Sequence, residues 1–486
     1  MNARLVVPAV PLPQTGRLAT LAAATLAIGG LVALRAAGLH SGLLYPDGYQ
    51  YLLMAQGLVE HLDPVTALGA GGDVLGPNAD AAAKPFFPLL VAALTVLGLS
   101  PLAAAQAITV AAGAAIPVLT ALVAVRLGAT RPVALVAAAL SATSTVAGDW
   151  WGFAGPDPLA PALALTAALA FLSRHPLAGG VLAGLCLTTR PSYALVALAA
   201  ALAGLVAART RPDALRAIIA GCATITVVLA VVRPPITAPD ALTVGAAAVL
   251  VSVAAAVVLL AGRMGRVVAF AVAAAVVVPL AALDGGAWSS VARRDWALLG
   301  LAGAGLVLGL RAEATRSIML RIIGLSLPLA VVYWAKNPGL ERYLAQLVPE
   351  LALVAALGIG TLRRQTVLVA AAGVAVAGAL ASSSPPAGPD AFQELAPKLE
   401  RAPAGILVTA APDAYGVLLS DRGIRVMRPG AEGLVLVDAA ARAYEPDLRV
   451  DGEVISRIPV TTGFLRPDGT VDRAPAVLYR GRVVTR

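Results

Sequence analysis

The chain has 486 residues, of which 59% are hydrophobic and only 13% charged. With a positive mean hydropathy, that balance excludes an ordinary soluble domain. The net charge of +9 does not signal nucleic acid, because the arginines sit in short gaps between apolar runs, as they do in cytoplasmic loops of membrane proteins.

Apolar runs of about 16–22 residues recur from Leu18 to Leu380, each long enough to span or nearly span a bilayer. The first predicted span, about 18–38, follows Arg4 and Arg17 and exits to a loop carrying His40 and Asp47. Its length exceeds a signal-peptide core, so it reads as an uncleaved span with the N-terminus inside. Residues 48–62 read as an interfacial helix, 63–84 as a loop rich in Gly, Asp and Pro, and 85–99 as a second, Pro-led interfacial or re-entrant helix.

With 85–99 outside the count, the charges alternate consistently. Spans 102–125, 132–148, 157–173, 176–189, 191–207, 217–232, 241–262, 267–283, 296–310, 318–335, 343–361 and 366–382 follow. Arg126, Arg131, Arg174, Arg209, Arg263, Arg311 and Arg363 fall inside, whereas Asp47, Asp149, Asp157, Asp284 and Asp295 fall outside. The fold class is thus an all-α polytopic membrane protein of about thirteen transmembrane helices, followed by a small C-terminal α+β domain.

The predicted membrane domain covers residues 1–382 and the small soluble domain 383–486. The junction is Ser382-Ser383-Ser384-Pro385-Pro386. Within the tail, Gly405–Thr409, Tyr415–Leu419, Gly433–Asp438, Val454–Val460 and Ala476–Tyr479 read as short β runs. Cys186 and Cys222 both lie in apolar runs and read as buried small residues, not a disulfide. No Cys/His spacing suggests zinc.

Acidic residues at span ends are functional candidates, because charge at membrane depth is costly. Asp47 precedes a helix with Gln50 three residues on, a capping-box pattern. Asp157 precedes Pro158, the pattern of an N-cap with Pro at the first helical position. Each also reads as a catalytic carboxylate, and a cap is compatible with that role because it fixes the side chain. Arg190 and Arg342 read either as snorkelling cations or as phosphate ligands. Trp150 and Trp151 read as belt residues or as a binding platform.

The order of these features resembles the GT-C superfamily of integral-membrane glycosyltransferases. Asp47-Gly48-Tyr49-Gln50-Tyr51, with Leu58-Val59-Glu60-His61 after it, resembles the first acidic motif, closest to that of the catalytic subunit of oligosaccharyltransferase. Lys84-Pro85-Phe86-Phe87-Pro88 is similar to the Pro-rich interfacial helix of the mannosyl- and aminoarabinosyltransferases. Gly152-Phe153-Ala154-Gly155-Pro156-Asp157 falls where the second acidic motif falls. The stretch ending Thr188-Thr189-Arg190-Pro191 resembles the family's Gly-then-Arg-Pro segment, and Glu341-Arg342-Tyr343 with Val348-Pro349 its late Arg-Tyr helix.

The resemblance implies an enzyme that moves a sugar from a polyprenyl-phosphate donor to a glycan, lipid or protein acceptor, with inversion. The active site would lie on the outer face of the inner (plasma) membrane. It implies catalytic roles for Asp47 and Asp157, and substrate contacts from Arg190, Arg342, Tyr343, Tyr49, Lys84 and Trp151. A divalent cation, Mg or Mn, held by Asp47 and Asp157, is an implied option. The expected partners are the bilayer, the lipid donor and the acceptor, with no nucleic acid. The Trp-Trp-Asp-Tyr-Gly motif is absent, which argues against recognition of a peptide sequon. The rival readings are a transporter or lipid flippase, and a relative that binds lipid-linked sugar without turning it over.

Overall fold

The computed structural model describes residues 46–64, 66–68, 72–76, 79–150, 154–207, 210–233, 241–282, 294–336, 345–362, 364–381, 391–419, 421–462, 464–465 and 471–484. The predicted first span lies outside them.

The chain is mostly helical. Helix α1 spans Pro46–His61, and a small hairpin follows, β1 Thr66–Ala67 with β2 Val74–Leu75. A short α2, Ala79–Ala82, leads to α3, Phe86–Val96. At 11 residues, α3 is about 16 Å long, too short to cross a hydrocarbon core. It is one of the shorter apolar helices.

The bundle then runs through α4 Pro101–Arg126, α5 Arg131–Thr143, α6 Thr145–Trp150, α7 Leu159–Leu172 and α8 Pro176–Thr189. After a 3₁₀ turn at Pro191–Tyr193 come α9 Ala194–Val206, α10 Arg211–Val232, α11 Ala241–Leu260 and α12 Arg266–Ala282. Then follow α13 Trp296–Arg311, α14 Glu313–Lys336, a second 3₁₀ turn Ala345–Leu347, α15 Val348–Gly360 and α16 Gln365–Ala381. Helix starts follow local chemistry. Ser100 Oγ accepts from Ala103 N at 3.2 Å with Pro101 at the first position.

Among the described residues, three helices are long and apolar enough to cross a membrane: Pro101–Arg126, Arg211–Val232 and Glu313–Val332. The other apolar helices are shorter, such as Arg131–Thr143 and Leu159–Leu172, so the predicted total of thirteen is not reached by these lengths. Residues 132–148 are not one span. The chain leaves the helix at Ser144, with φ −59° and ψ 123°, and restarts at Thr145. A serine that bonds nearby backbone competes with helix continuation.

Small residues let helices approach closely. A Cβ on Gly180 would meet the Ala217 carbonyl oxygen at 2.2 Å, and one on Gly184 the Gly221 oxygen at 2.7 Å, so α8 and α10 pack through a small-residue seam. Helices α13 and α15 do the same at Gly305 and Gly358, where a Gly358 Cβ would lie 1.8 Å from the Gly305 oxygen. Cys186 is buried and Cys222 exposed, both free. The expectation that both are buried fails for Cys222 because α10 packs through one face only, leaving Leu215, Ile219, Val227 and Val231 exposed.

From α17, Ala391–Glu400, the chain forms a tail of mixed structure. Its elements are β3 Leu407–Thr409, α18 Pro412–Leu418, β4 Ile424–Val426, β5 Glu432–Val437, α19 Ala439–Tyr444, β6 Arg449–Ile458, β7 Phe464–Leu465, β8 Val471–Asp472 and β9 Ala476–Val484. The five-stranded sheet has order β4-β3-β5-β9-β6, parallel through β4, β3 and β5 and antiparallel at β9 and β6. Tyr415–Leu419, read as a β run, is mostly helix. Pro412 opens it and Asp413 lies in its first turn, both favourable at a helix N-terminus.

The tail packs on α1. Tyr49, Phe392 and Tyr415 form a chain of edge-to-face rings at 5.8 and 5.6 Å, and Phe464 joins at 5.8 Å from Phe392. Tyr415 Oη donates to Asp438 at 2.8 Å, while Ala441 N donates to the same carboxylate at 2.9 Å. The hairpin closes the β4 edge: Ile424 N donates to Leu68 O, and Asp73 N to Ile424 O, both at 2.9 Å. Asp73 Oδ2 accepts from Val426 N at 3.0 Å.

Candidate functional site

Helix polarity brings Asp157 and Arg190 together at one end of the bundle. The turns 127–130, 173–175 and 261–265 connect helices at the arginine-bearing end. The N-end of α7, the C-end of α8 and the N-end of α15 all lie at the other end, because their side chains meet there.

The meeting point is Asp157. It lies in the turn before α7 and is 1% exposed. Its Oδ1 accepts from Arg190 Nη2, at the C-terminal cap of α8, and from Gln346 Nε2 at 3.0 Å, in the 3₁₀ turn before α15. The Asp157 and Arg190 side chains are 1% and 6% exposed, so this ion pair is buried. From the sequence, Asp157 reads as an N-cap or a catalytic carboxylate, and Arg190 as a snorkelling cation or a phosphate ligand. The structure brings the two together as partners.

Gln346 was missed. Its only signal is a lone amide among apolar neighbours, Ala345 and Leu347, at a span end. Ala154, three residues before Asp157, packs in one apolar cluster with Tyr51, Phe87 and Tyr415. The Asp157 turn therefore adjoins the layer made by α1 and α3.

Asp47 lies in the first turn of α1, inside the helix as assigned and not ahead of it. Its side chain is outside the described residues, as are those of Asp149 and Trp150 and all of Trp151, Arg342 and Tyr343. Two residues on, Tyr49 is 0% exposed and its ring faces Phe392. That places it at the junction with the tail. Lys84 is buried, and its Nζ donates to Tyr51 Oη at 3.0 Å. The ammonium is 5.7 Å from the Tyr51 ring centre, about the reach expected when it lies beyond the hydroxyl in line with the ring. The contact is a charge-assisted hydrogen bond and not a cation over a π face. Tyr51 in turn meets Phe87 edge-to-face at 5.7 Å, so Lys84 and the start of α3 are locked to α1.

Among the described residues no three His, Cys, Asp or Glu side chains gather as metal ligands. A guanidinium already neutralises Asp157, which suits a structural ion pair better than a cation ligand. The other carboxylate that the resemblance implies as a ligand, Asp47, has its side chain outside the described residues.

No protein-family model matches the chain, and no curated protein matches it in sequence. Solved structures do. The oligosaccharyltransferase of Archaeoglobus fulgidus, tethered to an acceptor peptide containing the NVT sequon, is similar with TM-score 0.56 and 13% identity, over 93% of this chain and 74% of that one. The same archaeal enzyme in complex with an inhibitory peptide and a dolichol-phosphate gives TM-score 0.52 and 14% identity, over 82% and 64%. The mycobacterial arabinofuranosyltransferase AftD gives TM-score 0.48 and 15% identity, over 95% of this chain and 41% of that one. The resemblance read from the sequence thus holds at the level of architecture: this chain has the fold of the GT-C membrane glycosyltransferases.

Proposed function

We propose that the chain is a membrane glycosyltransferase that takes a sugar from a polyprenyl-phosphate-linked donor. The acceptor is a glycan or lipid hydroxyl at the outer face of the plasma membrane. The observation that carries this reading is the buried Asp157–Arg190–Gln346 cluster at one end of the bundle. It occurs in the fold of an enzyme captured with dolichol-phosphate.

In this reading Asp47 takes the proton from the acceptor hydroxyl. The acceptor oxygen forms its bond to the anomeric carbon as the bond to the lipid-phosphate oxygen breaks, with inversion. The lipid phosphate leaves with both electrons of that bond and is met by Arg342. Arg342 lies four residues before Gln346 in the sequence. Asp157 does not act on protons. Paired with Arg190, it fixes the ends of α7, α8 and α15 relative to one another and so shapes the wall against which the donor rests. Residues 1–382 form the catalytic membrane domain, and the tail from 383 caps the outer side of α1. No step is routed through a metal.

The test is transfer from a labelled polyprenyl-phosphate sugar by the full chain in nanodiscs. Asp47→Asn is expected to lower turnover by about a hundredfold or more. Near-normal turnover in a folded Asp47→Asn protein would remove the base role, and no turnover of any lipid-phosphate sugar by the native chain would sink the reading.

A further inference from the structure

Asp295 stands immediately before α13, yet its carboxylate serves a different helix. Oδ2 accepts from Ser144 Oγ at 2.5 Å and from Val146 N at 3.3 Å, and Oδ1 accepts from Thr145 N at 2.7 Å and Thr145 Oγ1 at 2.9 Å. Asp295 is 5% exposed. Thr145 Oγ1 also donates to Arg294 O at 2.9 Å, and Ala147 N donates to Ser144 Oγ at 3.0 Å. The donors at the start of α6 are thus gathered on one carboxylate supplied from about 150 residues away.

This is more than a helix needs for its own start. N-caps come from the residue just before a helix, and Ser144 already fills that place by accepting from Ala147 N. What Asp295 adds is a fixed attachment of the break at Ser144 to the N-end of α13.

The segment from Ser144 to Asp157 is therefore anchored twice. Its start is held by Asp295, and its end by Arg190 and Gln346 at Asp157. The two anchors adjoin, because α6 packs against the 3₁₀ turn Ala345–Leu347 that carries Gln346.

We propose that Asp295 is a positioning residue for the Asp157 cluster. It sets the place of α6, α6 sets the place of Gln346, and Gln346 sets one side of the Asp157 carboxylate. The proposal rests on the glycosyltransferase reading for its kinetic consequence and on geometry alone for its structural one.

Two measurements on the full-length protein separate those parts. The first is a double-substitution cycle by unfolding in mixed micelles, combining Asp295→Ala with Gln346→Ala. If Asp295 acts through Gln346, the second substitution costs clearly less in the Asp295→Ala background than alone. Additive losses would overturn the proposal, whatever the chain catalyses.

The second measurement is turnover of a labelled polyprenyl-phosphate sugar. Asp295→Ala lowers kcat by about ten- to a hundredfold, with donor KM within threefold. Asp295→Asn, which keeps an oxygen acceptor for Thr145 N, recovers most of the loss. Equal kcat for the native and Asp295→Ala proteins at equal folded fraction would overturn the kinetic claim. If the native chain transfers no sugar, the glycosyltransferase reading fails while the cycle still decides the structural one.

Discussion

Removing Arg190 leaves the Asp157 carboxylate buried without its guanidinium, and that perturbation can be sized. Both side chains are almost fully buried, at 6% and 1% exposure, so solvent screening does not rescue the orphaned charge. Breaking such a pair from one side costs about 3–5 kcal/mol. Gln346 still donates to Asp157 Oδ1 at 3.0 Å and offsets roughly 1–1.5 kcal/mol of the exposure to an unpartnered charge. Arg190→Ala is therefore expected to cost about 2–4 kcal/mol. Asp157→Asn costs the same order, because it strands the guanidinium. The double variant Asp157→Asn with Arg190→Gln buries two neutral amides and should recover most of the loss. Reversible unfolding by denaturant in mixed micelles reads all three. Single losses below about 1 kcal/mol, or a double variant whose loss equals the sum of the singles, would refute the description of this contact as a buried, coupled ion pair.

Three further outcomes follow from the packing. Burial works to raise the Glu394 carboxyl, but hydrogen bonds from Lys398, Thr462 and Thr461 outweigh it and hold its pKa down at about 2, against 4.5 for an ordinary glutamate. Because the folded value is the lower one, the stabilisation is present above about 4.5 and lost as pH falls toward 2. Protease cleavage between α17 and Pro459 should rise through that window, and Glu394→Gln should flatten the dependence. Phe392→Ala removes the ring shared by Tyr49, Tyr415 and Phe464. It should cost about 3–5 kcal/mol and release the tail to limited proteolysis while the bundle stays helical by circular dichroism. Gly358→Ala drives a methyl to 1.8 Å from the Gly305 oxygen. It should lower the yield of folded protein sharply, whereas Gly373→Ala, with nothing near its Cβ, should be neutral in the same size-exclusion assay.

The bundle was legible because arginine punctuates it. Arg126, Arg131, Arg211, Arg266 and Arg311 mark helix ends in the structure as they do in the sequence. Helix lengths were less legible, since an apolar run such as 132–148 does not reveal that Ser144 will turn the chain. The carboxylate at Asp157 was visible through its Pro158 neighbour, but its partners were not. Arg190 and Gln346 are 33 and 189 residues away, and spacing carries no signal at such range. Tyr49 illustrates the same limit. The resemblance implies a substrate contact for it, and only the fold shows its ring against Phe392. Tyr415–Leu419 was misread because a short apolar run does not distinguish strand from helix.

The hairpin at Thr66–Leu75 has a consequence for biogenesis. Its Leu68 and Asp73 bond to Ile424 and Val426, up to 353 residues later in the chain. A nascent chain must therefore insert its whole set of apolar helices before this hairpin finds its partner. Translation at roughly 5–20 residues per second makes that interval tens of seconds. Until the last strands emerge, α1 lacks the Phe392 ring that packs on Tyr49. The packing around α1 is thus complete only once the tail from Ala391 has been translated and folded, and a prematurely terminated chain would insert without it.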